Sequence, residues 1–191
     1  MGYIVNLNHV SDYPVLNELF HHQDQLFERY SKLLMLRIDF AYRKGSEAFK
    51  FSDTNNLAAD MTWLTEQCRE ISGLVGYSWV MEDGEEHRLH VHAAFYINGQ
   101  VHCKIWMFWE QIKHLWETVT QGEGYAHHCE PKAHYLIQGE RVVAFSDTRG
   151  REGMQYILSY LAKQSQRTER PIYQLSPVSI PVARGRPRSR G

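Results

Sequence analysis

The sequence predicts an α+β fold built around an antiparallel sheet of four or five strands. Residues 33–42 and 88–97 are rich in β-branched and aromatic side chains, which is typical of strands. Longer stretches elsewhere place apolar residues at the 3.6-residue spacing of amphipathic helices. The Asp83-Gly84 pair predicts a tight turn after a further strand at 77–81, so we expect antiparallel pairing with the strand that follows.

Composition predicts one domain at residues 1–168, followed by an extended or disordered basic tail at 169–191. A chain of 191 residues with 43% hydrophobic residues is long enough for one well-packed core. No apolar run reaches the roughly 18 residues of a membrane span, and the N-terminus lacks a secretory pattern. Three scattered cysteines argue against a disulfide scaffold, so we expect a cytoplasmic protein with no membrane partner.

The tail is basic, although the net charge of the whole chain is −1. Arg184, Arg186 and Arg188 stand in an Arg-Gly-Arg-Pro-Arg sequence that resembles an AT-hook, an extended segment that enters the minor groove of DNA. A generic basic tail that contacts phosphates is the alternative. Both interpretations assign these arginines to DNA binding.

The first helix is predicted at residues 12–31, with Asp12 as its N-cap. His21 and His22 fall in the middle of this helix and are expected to face solvent. The apolar strand that follows is interrupted by Asp39. This carboxylate either caps a local turn or faces a functional site.

The central part of the chain predicts two further helices. One spans 54–72 behind an Asp53 cap, and the other spans 103–119. The second contains a dense aromatic set that we assign to the core, because tryptophan at helical spacing is more often packed than exposed. The set consists of Trp106, Phe108, Trp109 and Trp116.

A loop is predicted at residues 122–131. It holds His127, His128 and Cys129, and with His134 these residues could form an accessory zinc site. Their spacing fits no established zinc pattern, which argues against that interpretation.

Residues 133–137 and 141–145 predict a second hairpin. Asp147 or Thr148 then caps a last helix, which we expect to run over 151–164.

A His-Val-His sequence marks the strand at 88–97. Alternate side chains of a strand point to one face, so His90 and His92 share a face while Val91 and Ala93 point the other way. Neutral imidazole is a common metal ligand, and a second inward-facing polar ring has no evident packing purpose in an apolar strand. The pair therefore predicts two ligands of a metal site.

The last helix carries Tyr156, Tyr160 and Lys163 at i, i+4 and i+7, which places them on one helical face. An amphipathic helix with half-buried tyrosines and a lysine at its rim is the structural alternative for this stretch taken by itself.

Taken together, the two stretches resemble the HUH endonucleases of rolling-circle replication, in the branch with two tyrosines. Two sequence motifs are similar to those of the inovirus Gp2 (YagK/YfjJ-like) family of prophages and genomic islands. They are Leu-Arg-Ile-Asp-Phe at 36–40 and His-Val-His-Ala-Ala-Phe-Tyr-Ile-Asn-Gly at 90–99. The resemblance spans roughly residues 30–165 in the expected motif order. It implies an RRM-like sheet with helices mainly on one face, a central histidine strand, and the tyrosine helix lying against the site.

The resemblance also implies an activity, which is the nicking of single-stranded origin DNA by a replication initiator. Tyr160 is the expected nucleophile because Lys163 follows it at the family's Tyr-x-x-Lys spacing, and Tyr156 is the alternate. Lys163 would steady the scissile phosphate or lower the pKa of the phenol. Mg²⁺ or Mn²⁺ would be held by His90 and His92, completed by Glu82 from the neighbouring strand. Glu85, Glu86 and His87 are the alternatives to Glu82, although loop residues of this kind usually face solvent.

Attack would leave a 5'-phosphotyrosine and a free 3'-OH that serves as a primer. The implied partners are single-stranded DNA at an origin, with a helicase and the host polymerase as further candidates.

Other histidine-based families fit less well. A histidine-triad hydrolase needs a third histidine where the chain has Ala94, and a two-histidine phosphoesterase needs a hydroxyl residue in place of His92. A cupin needs a glutamate shortly after His92. A DNA-binding regulator that keeps the fold without cutting is the alternative from another functional class.

Overall fold

The computed structural model describes residues 10–84, 88–131, 140–163 and 170–179. Its elements confirm the predicted α+β class with an antiparallel sheet. In chain order they are α1 (Tyr13–Arg29), β1 (Lys32–Tyr42), α2 (Glu47–Phe51), α3 (Thr54–Gln67), a 3₁₀ turn (Cys68–Glu70), β2 (Leu74–Gly84), β3 (Arg88–Asn98), α4 (Trp106–Val119), β4 (Gly124–His128), β5 (Val142–Ala144), α5 (Thr148–Ser159) and β6 (Tyr173–Leu175).

One sheet of six strands forms within the described ranges, in the order β4-β1-β3-β2-β6, with β5 paired to β1 as well. The histidine-bearing strand β3 lies at its centre, as expected. The sheet exceeds the predicted four or five strands because β4 forms where a loop is predicted and β6 forms in the predicted tail. Both strands are short, and pairing with a longer neighbour stabilises them more than their own composition does.

Helices cover both faces of the sheet, so the expectation of one main face is wrong. Leu34, Leu36 and Ile38 pack with α3 and α4, whereas Leu33 and Met35 pack with α1 and α5. The apolar run at the start of β1 is the physical reason. Side chains alternate between faces, so a continuous apolar run needs cover on both sides.

The hairpin between β2 and β3 is longer than predicted. Asp83 and Gly84 lie in β2, where they pair with Leu89 and Arg88 of β3. The predicted turn at Asp83-Gly84 is therefore wrong, and the connection falls at 85–87, outside the described residues. The first arm of the other predicted hairpin, 133–137, also lies outside them, and β5 pairs with β1.

Helix α1 begins as predicted, because the Asp12 side chain accepts a hydrogen bond from the Val15 backbone N–H at 3.2 Å. His21 is exposed, as expected, but His22 is only 3% exposed. The His22 Nε2 atom lies 3.0 Å from both the carbonyl oxygen and the hydroxyl of Ser176. The expectation of a solvated His22 is wrong because a distant segment covers it.

That covering segment is the chain around β6, which pairs with β2 at the edge of the sheet. The Ser176 backbone N–H donates to the Tyr77 carbonyl, and the Met81 backbone N–H donates to the Ile172 carbonyl. Residues 172–176 therefore belong to the domain, and the predicted boundary after residue 168 is wrong. The remaining tail at 180–191 lies outside the described residues, and with it Arg184, Arg186 and Arg188.

Helix α4 confirms most of the predicted aromatic core. Phe108, Trp109 and Trp116 are buried, whereas Trp106, the first residue of the helix, is 60% exposed. Over the described part of the chain, no helix is both long enough and apolar enough to cross a membrane.

Candidate metal centre

The site is built on directly paired residues of three adjacent strands. His92 lies opposite Asp39 of β1, and His90 lies opposite Glu82 of β2. Residues that face each other across antiparallel strands point to the same side of the sheet. The histidine spacing and the strand register together therefore place two imidazoles and two carboxylates on one face.

Three of these side chains converge closely enough to bind an ion. The Glu82 Oε2 atom lies 2.9 Å from His92 Nε2 and 3.4 Å from His90 Nε2. The ligand atoms of the three residues all lie within 4.8 Å of one another, and within the described ranges this is the one group of at least three His, Cys, Asp or Glu side chains that could hold a metal ion. The predicted third ligand, Glu82, is thus part of the group.

In both imidazoles, the Nδ1 atom is hydrogen-bonded to a neighbouring group, and the Nε2 atom faces Glu82. His92 Nδ1 lies 2.7 Å from Asp39 Oδ1, and His90 Nδ1 lies 2.9 Å from the Arg88 carbonyl oxygen. Both partners only accept hydrogen bonds, so each Nδ1 carries the proton. This arrangement, in which a ligating histidine donates its other N–H to a carboxylate or carbonyl, is typical of metal centres.

The electrostatics favour a cation between the histidine Nε2 atoms and the Glu82 carboxylate. The Nε2 of His92 and the Glu82 carboxylate face each other at 2.9 Å, and both carry lone pairs. Only a positive species, a proton or a metal ion, can lie favourably between them. Two imidazoles and one carboxylate supply one negative charge and three ligands, which leaves further coordination positions for solvent or substrate.

Both carboxylates are held in the ionised form. Hydrogen bonds in which a proton lies between Glu82 and the Nε2 atoms of His90 and His92 keep the pKa of Glu82 far below its usual range, against the effect of burial, and the Lys163 ammonium lowers it further. Burial would raise the pKa of Asp39, but the hydrogen bond from His92 and the charge of Arg37 outweigh it and lower that pKa strongly. Glu82 therefore stays ionised at neutral pH and can act as an anionic ligand of a divalent cation.

Tyr160 and Lys163 lie at this site although they are distant from it in sequence. The Tyr160 ring centroid is 5.1 Å from that of His92. The Lys163 Nζ atom lies 2.7 Å from Glu82 Oε2 and 3.5 Å from the Tyr160 hydroxyl oxygen. Lys163 thereby connects the metal-binding carboxylate with the phenol.

Tyr156 occupies a different position from Tyr160. Helix α5 starts after the predicted Asp147 cap but ends at Ser159 rather than 164, so Tyr156 is inside it and Tyr160 follows it. The Tyr160 N–H bonds the Ile157 carbonyl, a tighter turn than the α-helical one. Lys163 therefore lies beyond the helix and does not share a helical face with the two tyrosines as expected, and the ring contact with His92 belongs to Tyr160.

Arg37 is a site residue that the sequence analysis misses. Its Nη2 atom donates to Asp39 Oδ1 at 3.0 Å, and its guanidinium carbon lies 5.4 Å from the centroid of the Tyr160 ring. It is also buried, with 9% of its surface exposed. An arginine two residues before Asp39, on the same face of an otherwise apolar strand, is the sequence signal that could have identified it.

The accessory zinc site considered from sequence does not form among its described residues. His127 and His128 are consecutive in β4 and so point to opposite faces of the sheet. Burial raises the pKa of the Cys129 thiol to about 12 although Arg37 lowers it, and the Arg37 Nη2 atom lies 3.8 Å from its sulfur. His134 lies outside the described residues.

Comparisons with protein-family models, with curated proteins and with solved structures give no match to this chain.

Proposed function

We propose that this protein is an HUH-type endonuclease that nicks single-stranded origin DNA to initiate rolling-circle replication. The observation that carries the proposal is the convergence of two distant segments. The Tyr160 ring lies beside His92, a residue of the metal-binding group, and Lys163 contacts both the phenol and Glu82. A phenol, an ammonium group and a set of metal ligands are the components needed for tyrosine transesterification.

The metal-binding residues would be His90, His92 and Glu82, with Asp39 orienting His92 through its Nδ1–H. A divalent ion bound there supplies positive charge that offsets the charge developing on a scissile phosphate. The mixed donor set of two imidazoles and one carboxylate favours Mn²⁺ over Mg²⁺, because Mg²⁺ prefers oxygen ligands more strongly.

In the reaction, the Tyr160 oxygen forms a bond to phosphorus and the bond from phosphorus to the 3' oxygen breaks. The phenol proton leaves and the 3' oxygen gains a proton, so the products are a 5'-phosphotyrosine and a free 3'-OH. Lys163 donates to the phenol oxygen at 3.5 Å and holds a positive charge beside the reacting phosphate. Because one phosphodiester is exchanged for another, reversal of the step joins strands without ATP.

The test uses a pool of labelled single strands incubated with the protein and Mn²⁺, followed by denaturing gels that detect covalent adducts. We expect an SDS-stable adduct with the wild type and with Tyr156→Phe, and none with Tyr160→Phe or His92→Ala. Both tyrosine variants remove one hydroxyl from the same segment, so each is the matched control for the other. Sequencing the attached strands would identify the origin.

If Tyr160→Phe still forms the adduct and Tyr156→Phe does not, the assignment of the nucleophile is reversed. If the wild type binds strands but forms no adduct under any divalent ion, the nickase proposal is wrong and a non-cutting DNA-binding regulator is supported.

A further inference from the structure

Strand β4 carries two exposed aromatic rings beside the metal centre. Tyr125 is 48% exposed and His127 is also exposed, and the two occupy alternate positions on the same face of the strand. Their ring planes differ by only 14° and their centroids are 6.5 Å apart. Two exposed and nearly parallel rings offer flat aromatic faces of the kind on which nucleobases stack.

The strand register connects these rings directly to the site. His127 lies opposite Asp39, which lies opposite His92, and Tyr125 lies opposite Ala41, which lies opposite His90. The rings and the metal ligands therefore share one face and belong to the same two rows across the sheet. At about 4.8 Å between neighbouring strands, the two groups are roughly 10 Å apart.

Among the described residues, this half of the sheet face is less deeply covered than the half at the start of β1. The core cluster on this face takes Leu33 and Met35 from the start of β1, where α1 and α5 pack. Towards the end of β1, Asp39 and Ala41 are only partly buried, whereas Phe40, which points to the other face, is fully buried. Ala41, which lies between Tyr125 and His90 in this row, has a small side chain.

Buried hydrogen bonds hold the platform strand in place. The Trp116 indole N–H donates to the Tyr125 carbonyl oxygen at 3.2 Å, and the Gly124 N–H donates to the Thr120 hydroxyl at 2.8 Å. A Cβ at Gly124 would meet the Thr120 oxygen at 2.3 Å, so the backbone packs tightly against α4. The rings are therefore presented by a rigid backbone, which reduces the entropy lost when a ligand binds.

The charge of this face also suits a polyanion. Arg37 and Lys163 balance Asp39 and Glu82 across the site. A divalent ion bound by the histidines would leave the face positive, while the rings of β4 add no negative charge. An anionic backbone at the metal centre with its bases directed towards β4 satisfies both features.

We propose that Tyr125 and His127 form a stacking platform for unpaired bases of the DNA strand whose phosphate lies at the metal centre. The inference depends on the proposed function only for the identity of that strand. Because every base has a flat face, stacking here contributes affinity and positioning with little sequence preference.

The test measures the dissociation constant of a fluorescent single-stranded oligonucleotide by anisotropy, in Mn²⁺ and in the Tyr160→Phe background, so that cleavage does not interfere. Loss of one stacked base predicts that Tyr125→Ala and His127→Ala each weaken binding by about 5- to 100-fold. Tyr125→Phe keeps the ring and should bind as the parent does. Trp63→Ala is the matched control, because Trp63 is 53% exposed and lies on α3, which packs on the opposite face.

Unchanged affinity in Tyr125→Ala and His127→Ala, or an equal loss in Trp63→Ala, would overturn the platform. A strong preference for the RNA oligonucleotide of the same sequence would overturn the assignment to DNA. The outcome is separable from that of the proposed function. Binding that needs Tyr125 without any covalent adduct refutes the nickase alone, and an adduct with unchanged binding by Tyr125→Ala refutes the platform alone.

Discussion

Asp39 connects the metal-binding His92 with the buried Arg37. Its carboxylate accepts hydrogen bonds from His92 Nδ1 at 2.7 Å and from Arg37 Nη2 at 3.0 Å. It therefore fixes the orientation of a metal-binding imidazole and neutralises a buried guanidinium. Arg37 in turn lies against the Tyr160 ring, so a change at Asp39 reaches both the metal ligands and the phenol.

Asp39→Asn tests this role, because asparagine keeps the shape and the acceptor oxygen but loses the charge. We expect Mn²⁺ affinity to fall by about 10- to 100-fold, the usual effect of removing an outer partner of a ligating histidine. Isothermal titration calorimetry measures it. Asp83→Asn is the control, since Asp83 lies next to Glu82 in β2 but pairs with Leu89 and points to the other face. Equal losses in both variants would contradict the orienting role.

Among the contacts between elements, those of the segment that follows α5 hold Tyr160 and Lys163 at the site. The chain leaves the helix after Ser159, and the Ala162 carbonyl then accepts a hydrogen bond from the Asp12 N–H at 2.7 Å. This contact ties the segment after α5 to the start of α1 and brings Lys163 to Glu82.

A second contact between elements joins α1 to the β6 segment through His22 and gives a pH-dependent stability. Burial lowers the pKa of His22 to about 4, although the backbone hydrogen bond with Ser176 acts in the opposite direction. In the unfolded chain the imidazole takes up a proton below about pH 6.5. Between these values the unfolded state binds more protons, so the free energy of unfolding falls as the pH falls.

Proton uptake by His22 in the unfolded chain should lower the free energy of unfolding by up to about 3 kcal/mol as the pH falls from about 6.5 to 4. The contribution is fully present above that window. His22→Gln should flatten this part of the pH profile, because an amide can donate to the Ser176 carbonyl without titrating. Urea denaturation at several pH values measures it, with His21→Gln as the exposed control. A profile that is the same for wild type and His22→Gln would show that this imidazole does not carry the effect.

At the scale of the whole molecule, the metal ligands come from the two central strands of the sheet. β3 is bordered by β1 and β2 over most of its length, and Glu82 and His90 are paired across the β2–β3 ladder. Unfolding of the sheet separates these ligands, so an ion bound there stabilises the whole fold by mass action.

Mn²⁺ at about 100 times its dissociation constant should therefore raise the melting temperature by roughly 5–10 °C, which corresponds to about 2.7 kcal/mol for a domain of this size. His90→Ala and Glu82→Gln should lose this shift, and His114→Ala, an exposed histidine on α4, should keep it. Differential scanning calorimetry with and without Mn²⁺ measures the effect. A shift that persists in Glu82→Gln and His90→Ala would place the ion elsewhere.

Local patterns in the sequence were sufficient for several parts of the fold and of the site. Alternation along a strand determines that His90 and His92 share a face, and capping residues such as Asp12 and Asp147 determine where helices start. Glu82 could be predicted because a hairpin joins β2 to β3 and keeps its residues near the histidines. Each of these inferences depends on residues close together in the chain.

Local sequence patterns were therefore enough to predict the α+β class and two imidazoles on one face, and the family resemblance added Glu82 as the neighbouring carboxylate. Only the tertiary structure decided that Asp39 faces the site rather than a local turn, that Arg37 joins it, and that Tyr160 rather than Tyr156 lies beside His92. It also decided that His22 is buried. The physical reason is that pairing between distant strands, and the packing of helices on both faces, depend on contacts that a local pattern does not contain.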